Sequence, residues 1–324
     1  MAPGSVGTVL ATSTYLWYGN VKATFKTSRG QGVVTAFILL SDVKDEIDYE
    51  FIGADLQTAQ TNYYFQGITN YGNSGNISLS DTFDNYHTYE IDWTPDKITW
   101  SVDGKVGRTK NRADTWNATS NQWAFPQTPA RVQLSIWPGG LATNAQGTID
   151  WAGGAINWNS EDIQSHGYDY AMFQSVTVDC YNATKAPGTN TGVSYTYNNA
   201  AGTNDTVIDG DKPTVLKSLV GTGTNMSAGL LDGSASATAQ TIPGLSGAGP
   251  GTDGHASESA SSGASATGSS TSSGSSAACS GFCQGVSGSG SSSQSGAEML
   301  NAQTRMLEGS VFAALVAIVA MIAL

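Results

Sequence analysis

Asp45-Glu46-Ile47-Asp48-Tyr49-Glu50-Phe51 is the stretch on which the reading of this 324-residue chain turns. Glu46, Asp48 and Glu50 alternate with Ile47, Tyr49 and Phe51, a pattern that predicts a half-buried β-strand with two unlike faces. One face carries three carboxylates and the other goes to the core. Like charges side by side repel, so the strand gives up stability for something. A solvated strand face is one explanation. The other is chemistry, because two carboxylates flanking a sugar bond are the machinery of glycoside hydrolysis. Four residues along a strand separate Cα atoms by roughly 13 Å. Two Glu side chains leaning together close that to about 5–6 Å, the separation expected of a retaining enzyme.

Glu-Ile-Asp-Tyr-Glu-Phe followed by Ile52-Gly53 resembles the catalytic strand of glycoside hydrolase family 16, and within it the fungal Crh-type cell-wall transglycosylases. The resemblance begins at Tyr18-Gly19 and Gly30-Gln31-Gly32-Val33-Val34 and continues to about Cys180. It implies Glu46 as nucleophile, Glu50 as general acid/base and Asp48 as the group assisting between them. It also implies an antiparallel β-sandwich jelly roll. The sequence agrees on the all-β class: short alternating runs with regular turns fill 15–180, without sustained helical periodicity.

Other candidate site residues follow from parity. Asn62 and Tyr64 share one face of a strand, and in related lichenases such a pair lines the cleft beside the nucleophile. In 131–140, Val132, Leu134 and Ile136 form one face, while Gln133, Ser135 and Trp137 form the other. Trp137 therefore points away from the aliphatic core and offers a stacking platform for a sugar ring. Asp150-Trp151-Ala152-Gly153-Gly154 resembles a further Crh-type motif and makes Trp151 a second platform. Trp93 and Trp100 read as core, His87 as a structural donor, and Lys105–Pro129 as a polar loop over the cleft.

All eight Trp fall between Trp17 and Trp158, and beyond about Ala186 the chain turns to Gly, Ser, Thr and Ala. This predicts a catalytic domain over 1–185 and a low-complexity stalk over 186–297 that buries too little apolar surface to fold. Ser295-Gly296-Ala297, a polar spacer and the apolar run Val311–Leu324 match a GPI-attachment signal, with Ser295 as the attachment residue and 298–324 removed. Five sequons, at Asn76, Asn117, Asn182, Asn204 and Asn225, predict N-glycosylation of a secreted protein. Met1–Thr14 lacks the features of a signal peptide, and Cys180, Cys279 and Cys283 make an odd count. A truncated start is expected, lacking a signal peptide, a first strand and some cysteines, with a sheet edge exposed as a result. Cys279 and Cys283 are close enough for a small local disulfide.

A net charge of −12 argues against nucleic acid as a partner. No Gly-rich phosphate loop and no His or Cys cluster is present, so neither cofactor nor metal is expected. The resemblance implies a wall-anchored enzyme outside the cell, held to the membrane by lipid and working as a monomer. It would cleave a chitin-like β-1,4 donor and pass it to β-glucan. An endo-β-glucanase or chitinase that uses water, and a non-catalytic glycan-binding wall protein, are the alternatives.

Overall fold

The computed structural model describes residues 1–181, 192–198 and 201–229. Its strands in chain order are β1 (Thr8–Ala11), β2 (Gly19–Lys26), β3 (Val33–Ser41), β4 (Glu46–Ile52) and β5 (Thr58–Tyr64). Then come β6 (Gly75–Ser78), β7 (His87–Trp93), β8 (Lys97–Val102), β9 (Lys105–Asn111), β10 (Trp116–Asn117) and β11 (Gln122–Trp123). The last are β12 (Ala130–Pro138), β13 (Met172–Cys180), β14 (Ser194–Tyr197) and β15 (Val207–Gly210). Two one-turn helices, α1 (Gln146–Trp151) and α2 (Glu161–His166), sit between β12 and β13.

The strands form a six-stranded sheet, β1-β12-β3-β4-β5-β6, facing a five-stranded sheet, β13-β2-β7-β8-β9. This is the expected antiparallel β-sandwich of the jelly-roll type. Burial alternates strictly along β2 and β7, whose polar residues meet solvent on the far side of the five-stranded sheet. Along β4 every residue is buried. Its apolar face meets the core, and something covers its acidic face as well.

Between the sheets lies an aromatic core that includes Phe25, Phe37, Tyr49, Phe51, Tyr89, Trp93 and Trp100. Trp93 and Trp100 are core residues, as their parity predicts. Their indoles also tie layers together, through Nε1 of Trp100 to the Asp48 carbonyl at 3.0 Å and Nε1 of Trp93 to the Pro126 carbonyl at 3.1 Å. The Asp103-Gly104 turn between β8 and β9 has φ of 51° and 75°, the double left-handed geometry of a type I′ hairpin. At the seam between the edge strands β1 and β13, inward-facing Leu10, Val176 and Val178 are 62%, 39% and 41% exposed. Cys180 ends β13 as an exposed free thiol.

Two expectations need correction. Lys105–Asn111 is not a loop over the cleft but β9, paired to β8 in the sheet opposite. Its alternation is weak because most of its residues are exposed on both faces. The second concerns 186–297. Residues 192–198 and 201–229 fold onto the sandwich, where β14 and β15 pair as a hairpin. Tyr197 packs with Val43 and Val207, Leu216 is 4% exposed, and Tyr195 meets Trp17 edge-on at 5.4 Å. Composition averaged over a hundred residues hid a local run of apolar side chains large enough to dock. The remaining stretches of 186–297 and the apolar end 298–324 lie outside the described residues, as do Asn182, Cys279, Cys283 and Ser295.

Candidate active site

β4 lies in the middle of the six-stranded sheet, and its register fixes what surrounds the carboxylates. Tyr64 stands opposite Glu46, Asn62 opposite Asp48 and Gln60 opposite Glu50. On the other side the same rows hold Leu40, Ile38 and Ala36 of β3, then Arg131, Gln133 and Ser135 of β12. Directly opposed residues share a face, so all of these point away from the core. The face is nevertheless recessed: Glu46, Asp48 and Glu50 are 7%, 1% and 3% exposed. Glu46, Asp48, Glu50, Asn62 and Tyr64 therefore meet in one cleft.

The Asn62 amide nitrogen donates to the Tyr64 hydroxyl. Against this, one oxygen each of Glu46 and Glu50, both of Asp48 and the Asn62 side-chain oxygen are buried without a protein partner. A row of orphaned acceptors at the floor of a recess suits a hydroxyl-rich ligand that brings its own donors.

Burial and crowding set the charge state. Burial, and then the Asp48 charge, push the Glu46 carboxyl well above its ordinary value. Glu50 is pushed up by burial and then by both Asp48 and Glu46. Asp48 rises to about 7 through burial, held down in part by the positive charge of Arg108. Each carboxyl's charge thus disfavours ionisation of its neighbours, and the row favours retention of protons toward neutral pH. Arg108 acts from behind the sheet. It leaves β9, lies 4.6 Å over the Trp100 ring and donates to the Thr61 carbonyl and hydroxyl of β5, both at 2.8 Å.

Trp137 lies on the cleft face, as its parity predicts, in the row with Val34 and Ile52. It is only 6% exposed, because Trp151 stacks on it at 5.9 Å and 28°. Trp151 is the more open of the two, half-buried. Its Nε1 donates to Gln60 Oε1 at 2.8 Å, next to Glu50. Gly153 lets the chain turn there: at φ 86° it lies where a Cβ would come within 2.6 Å of Ala54 Cβ. Gln60, Arg131 and Arg108 went unread in the sequence. Parity from Asn62 and Gln133 reaches the first two, whereas Arg108 lies on a strand whose pattern is too faint.

His87 is structural, with Nδ1 2.7 Å from Asp103 Oδ2 and Nε2 3.0 Å from Ser80 Oγ. Of the sequons, Asn76 and Asn117 are exposed and Asn225 is half-buried. Asn204 is 7% exposed, which counts against a glycan there. Among the described residues no group of three or more His, Cys, Asp or Glu is placed to hold a metal ion. No helix among them is long and apolar enough to cross a membrane.

A β-sandwich with a row of three buried carboxyls on one sheet face fits a class, the glycan-cleaving enzymes. Comparison with known proteins specifies it. Residues 1–153 match the family model of the glycosyl hydrolases family 16. The chain is 66% identical to Crh-like protein 3 of Botryotinia fuckeliana over 333 residues, covering all of this chain and 75% of that relative. It is 53% identical to Crh-like protein 2 of Aspergillus fumigatus over 231 residues, 71% of this chain and 52% of that one. The structure of an apo Crh5 transglycosylase superposes with a TM-score of 0.53 at 29% identity, covering 65% of this chain and 87% of that one. The chain belongs to the Crh-like proteins of glycosyl hydrolases family 16, and with them to the glycosidase and transglycosylase enzymes. It spans three quarters of the first relative's length and about half of the second's.

Proposed function

We propose that this protein is a retaining transglycosylase of the fungal cell wall, with a chitin-like β-1,4 glycan as donor and β-glucan as acceptor. The observation that carries the reading is the buried Glu46-Asp48-Glu50 row, three carboxyls on one face of β4. Glu50, protonated, gives its proton to the departing glycosidic oxygen while the Glu46 carboxylate attacks the anomeric carbon. Asp48, between them, acts through its charge, which favours the protonated form of either neighbour. Glu50, now ionised, takes the proton of the incoming hydroxyl, which displaces Glu46. Asn62, Tyr64, Trp137 and Trp151 line the path of the sugar chain. The likeness to a Crh5 transglycosylase, also known in complex with NAG, supports an amino-sugar donor and a carbohydrate acceptor.

Transfer rather than hydrolysis requires an acceptor held at high effective concentration against bulk water. A recessed row is shielded until a polymer fills the cleft. The rest of the reading is location: a glycoprotein outside the cell, attached through lipid at Ser295, monomeric and acting on wall polymers.

Purified protein given chitin and labelled glucan oligosaccharides is expected to yield hybrid products before free reducing ends accumulate. Glu46→Gln should abolish both outcomes while sugar binding persists. Chitin shortened without transfer of label would replace this reading with hydrolysis, and binding without turnover would replace it with a lectin.

A further inference from the structure

The segment that was expected not to fold docks at one particular place, the Glu46 end of the sandwich. The Gln66 amide donates to the Ala201 carbonyl, and the Asn204 amide donates to Gln127 Oε1 at 3.4 Å. Gln66 and Gln127 in turn give their backbone N–H groups to Asp45, each at 2.9 Å, and Thr128 Oγ1 reaches it at 2.6 Å. Asp45 is the residue before Glu46. Further along, the Leu216 N–H donates to the Ser13 carbonyl at 2.7 Å. The Gly223 N–H donates to Asp42 Oδ2 at 3.0 Å, and the Tyr15 hydroxyl donates to the same carboxylate at 2.7–2.8 Å. Most telling is Arg131. It stands on the cleft face in the row of Glu46, and its Nη1 donates to the Leu219 carbonyl at 2.8 Å. Its Nε donates to the Thr12 carbonyl at 2.7 Å, so the backbone at 219 is tied to the β12–β1 side of the Glu46 row. At the opposite end, beyond Glu50, Trp137 and Trp151 pack together with Val34, Ile52 and Ala152. Residues 216–228 carry Ser218, Thr222, Thr224, Asn225 and Ser227 and a single charge, Lys217, without a carboxylate. A segment rich in hydroxyls and free of carboxylates suits a sugar chain in a molecule of net charge −12.

We propose that residues 216–228, outside the family-matched 1–153, form the Glu46-side wall of the cleft and hold the arm of the glycan that crosses β12 and β1. Asp42 and Tyr15 are positioning residues for this wall. The inference rests on the transglycosylase reading for the identity of the glycan, not for the existence of the wall.

Asp42→Asn and, separately, Tyr15→Phe weaken the anchor at Gly223 without touching the carboxylate row. With long glycans the KM for donor or acceptor is expected to rise about tenfold, the size of one or two lost neutral contacts. Turnover of a short activated aryl glycoside, which reaches Glu46 but not the wall, should change by less than about twofold. Equal loss on both substrates, or no change in folded variants, overturns the proposal. Tyr15→Phe removes one hydroxyl and keeps the test alive if Asp42→Asn fails to fold. A parallel measurement separates this idea from the reaction: chito- and gluco-oligosaccharide Kd in the Glu46→Gln background, with and without Tyr15→Phe. If the unmodified protein transfers nothing, the transglycosylase reading falls, and an unshifted Kd removes the wall independently.

Discussion

In the proposed mechanism Glu50 is an acid beside two other carboxyls, and all three are buried. The cost is repulsion, and the gain is a proton retained near neutral pH. Removing the Asp48 charge should undo part of this. Asp48 is the largest charged contributor to the raised Glu50 value, so Asp48→Asn lowers it. Glu50 then loses its proton at lower pH, and the alkaline limb of the rate profile moves down. A pH profile of kcat/KM in the two proteins measures this, and an unmoved alkaline limb would count against the assignment of Glu50. Glu46→Gln should also raise the melting temperature at pH 8, by about 1 kcal/mol of stability, because a buried charge leaves a row of like charges. Asp45 differs from its neighbours. Burial pushes it to about 6, but its hydrogen bonds from Thr128, Gln127 and Gln66 make it a structural knot rather than a reactant.

α1 is a single turn, too short to be stable alone. It exists because Trp151 at its end stacks on Trp137 and bonds Gln60. Trp151→Phe keeps an aromatic face and loses the indole donor, leaving Gln60 free beside Glu50. The expected result is a fall in kcat/KM of roughly fivefold to tenfold, about 1 kcal/mol, with little change in melting temperature. Steady-state kinetics on a long glycan checks this. A variant as active as the original would remove Trp151 from the substrate path. β9 teaches a related lesson. Its own pattern is faint, yet it carries Arg108, whose charge tempers Asp48 through the back of the sheet. An element with weak local signals thus tunes the most conspicuous residues in the chain.

For the whole molecule, the buried acids make stability depend on pH. Asp45 and Asp48 have folded-state values of about 6 and about 7, against an ordinary 3.8, and Glu46 and Glu50 are raised too. The native state therefore holds more protons than the unfolded chain between pH 4 and about 7, and stability falls as pH rises through that window. Asp45 alone accounts for roughly 3 kcal/mol of that loss. Calorimetry should show a higher melting temperature at pH 5 than at pH 8. An equal or lower value at pH 5 would mean that these groups ionise normally. Period-two alternation made much of this architecture readable in advance. The strands β2, β4, β7 and β12 and the faces of Glu46, Asn62, Tyr64 and Trp137 follow from parity, because a strand's side chains alternate whatever the strand packs against. Parity assigns a side chain to a face but says nothing of what lies above that face. Tertiary packing decided that Trp137 would be covered by Trp151, that β9 would bring Arg108 behind Asp48, and that 192–198 and 201–229 would fold against the Glu46 end. Those outcomes depend on contacts between residues far apart in the chain, whose energies no local pattern records.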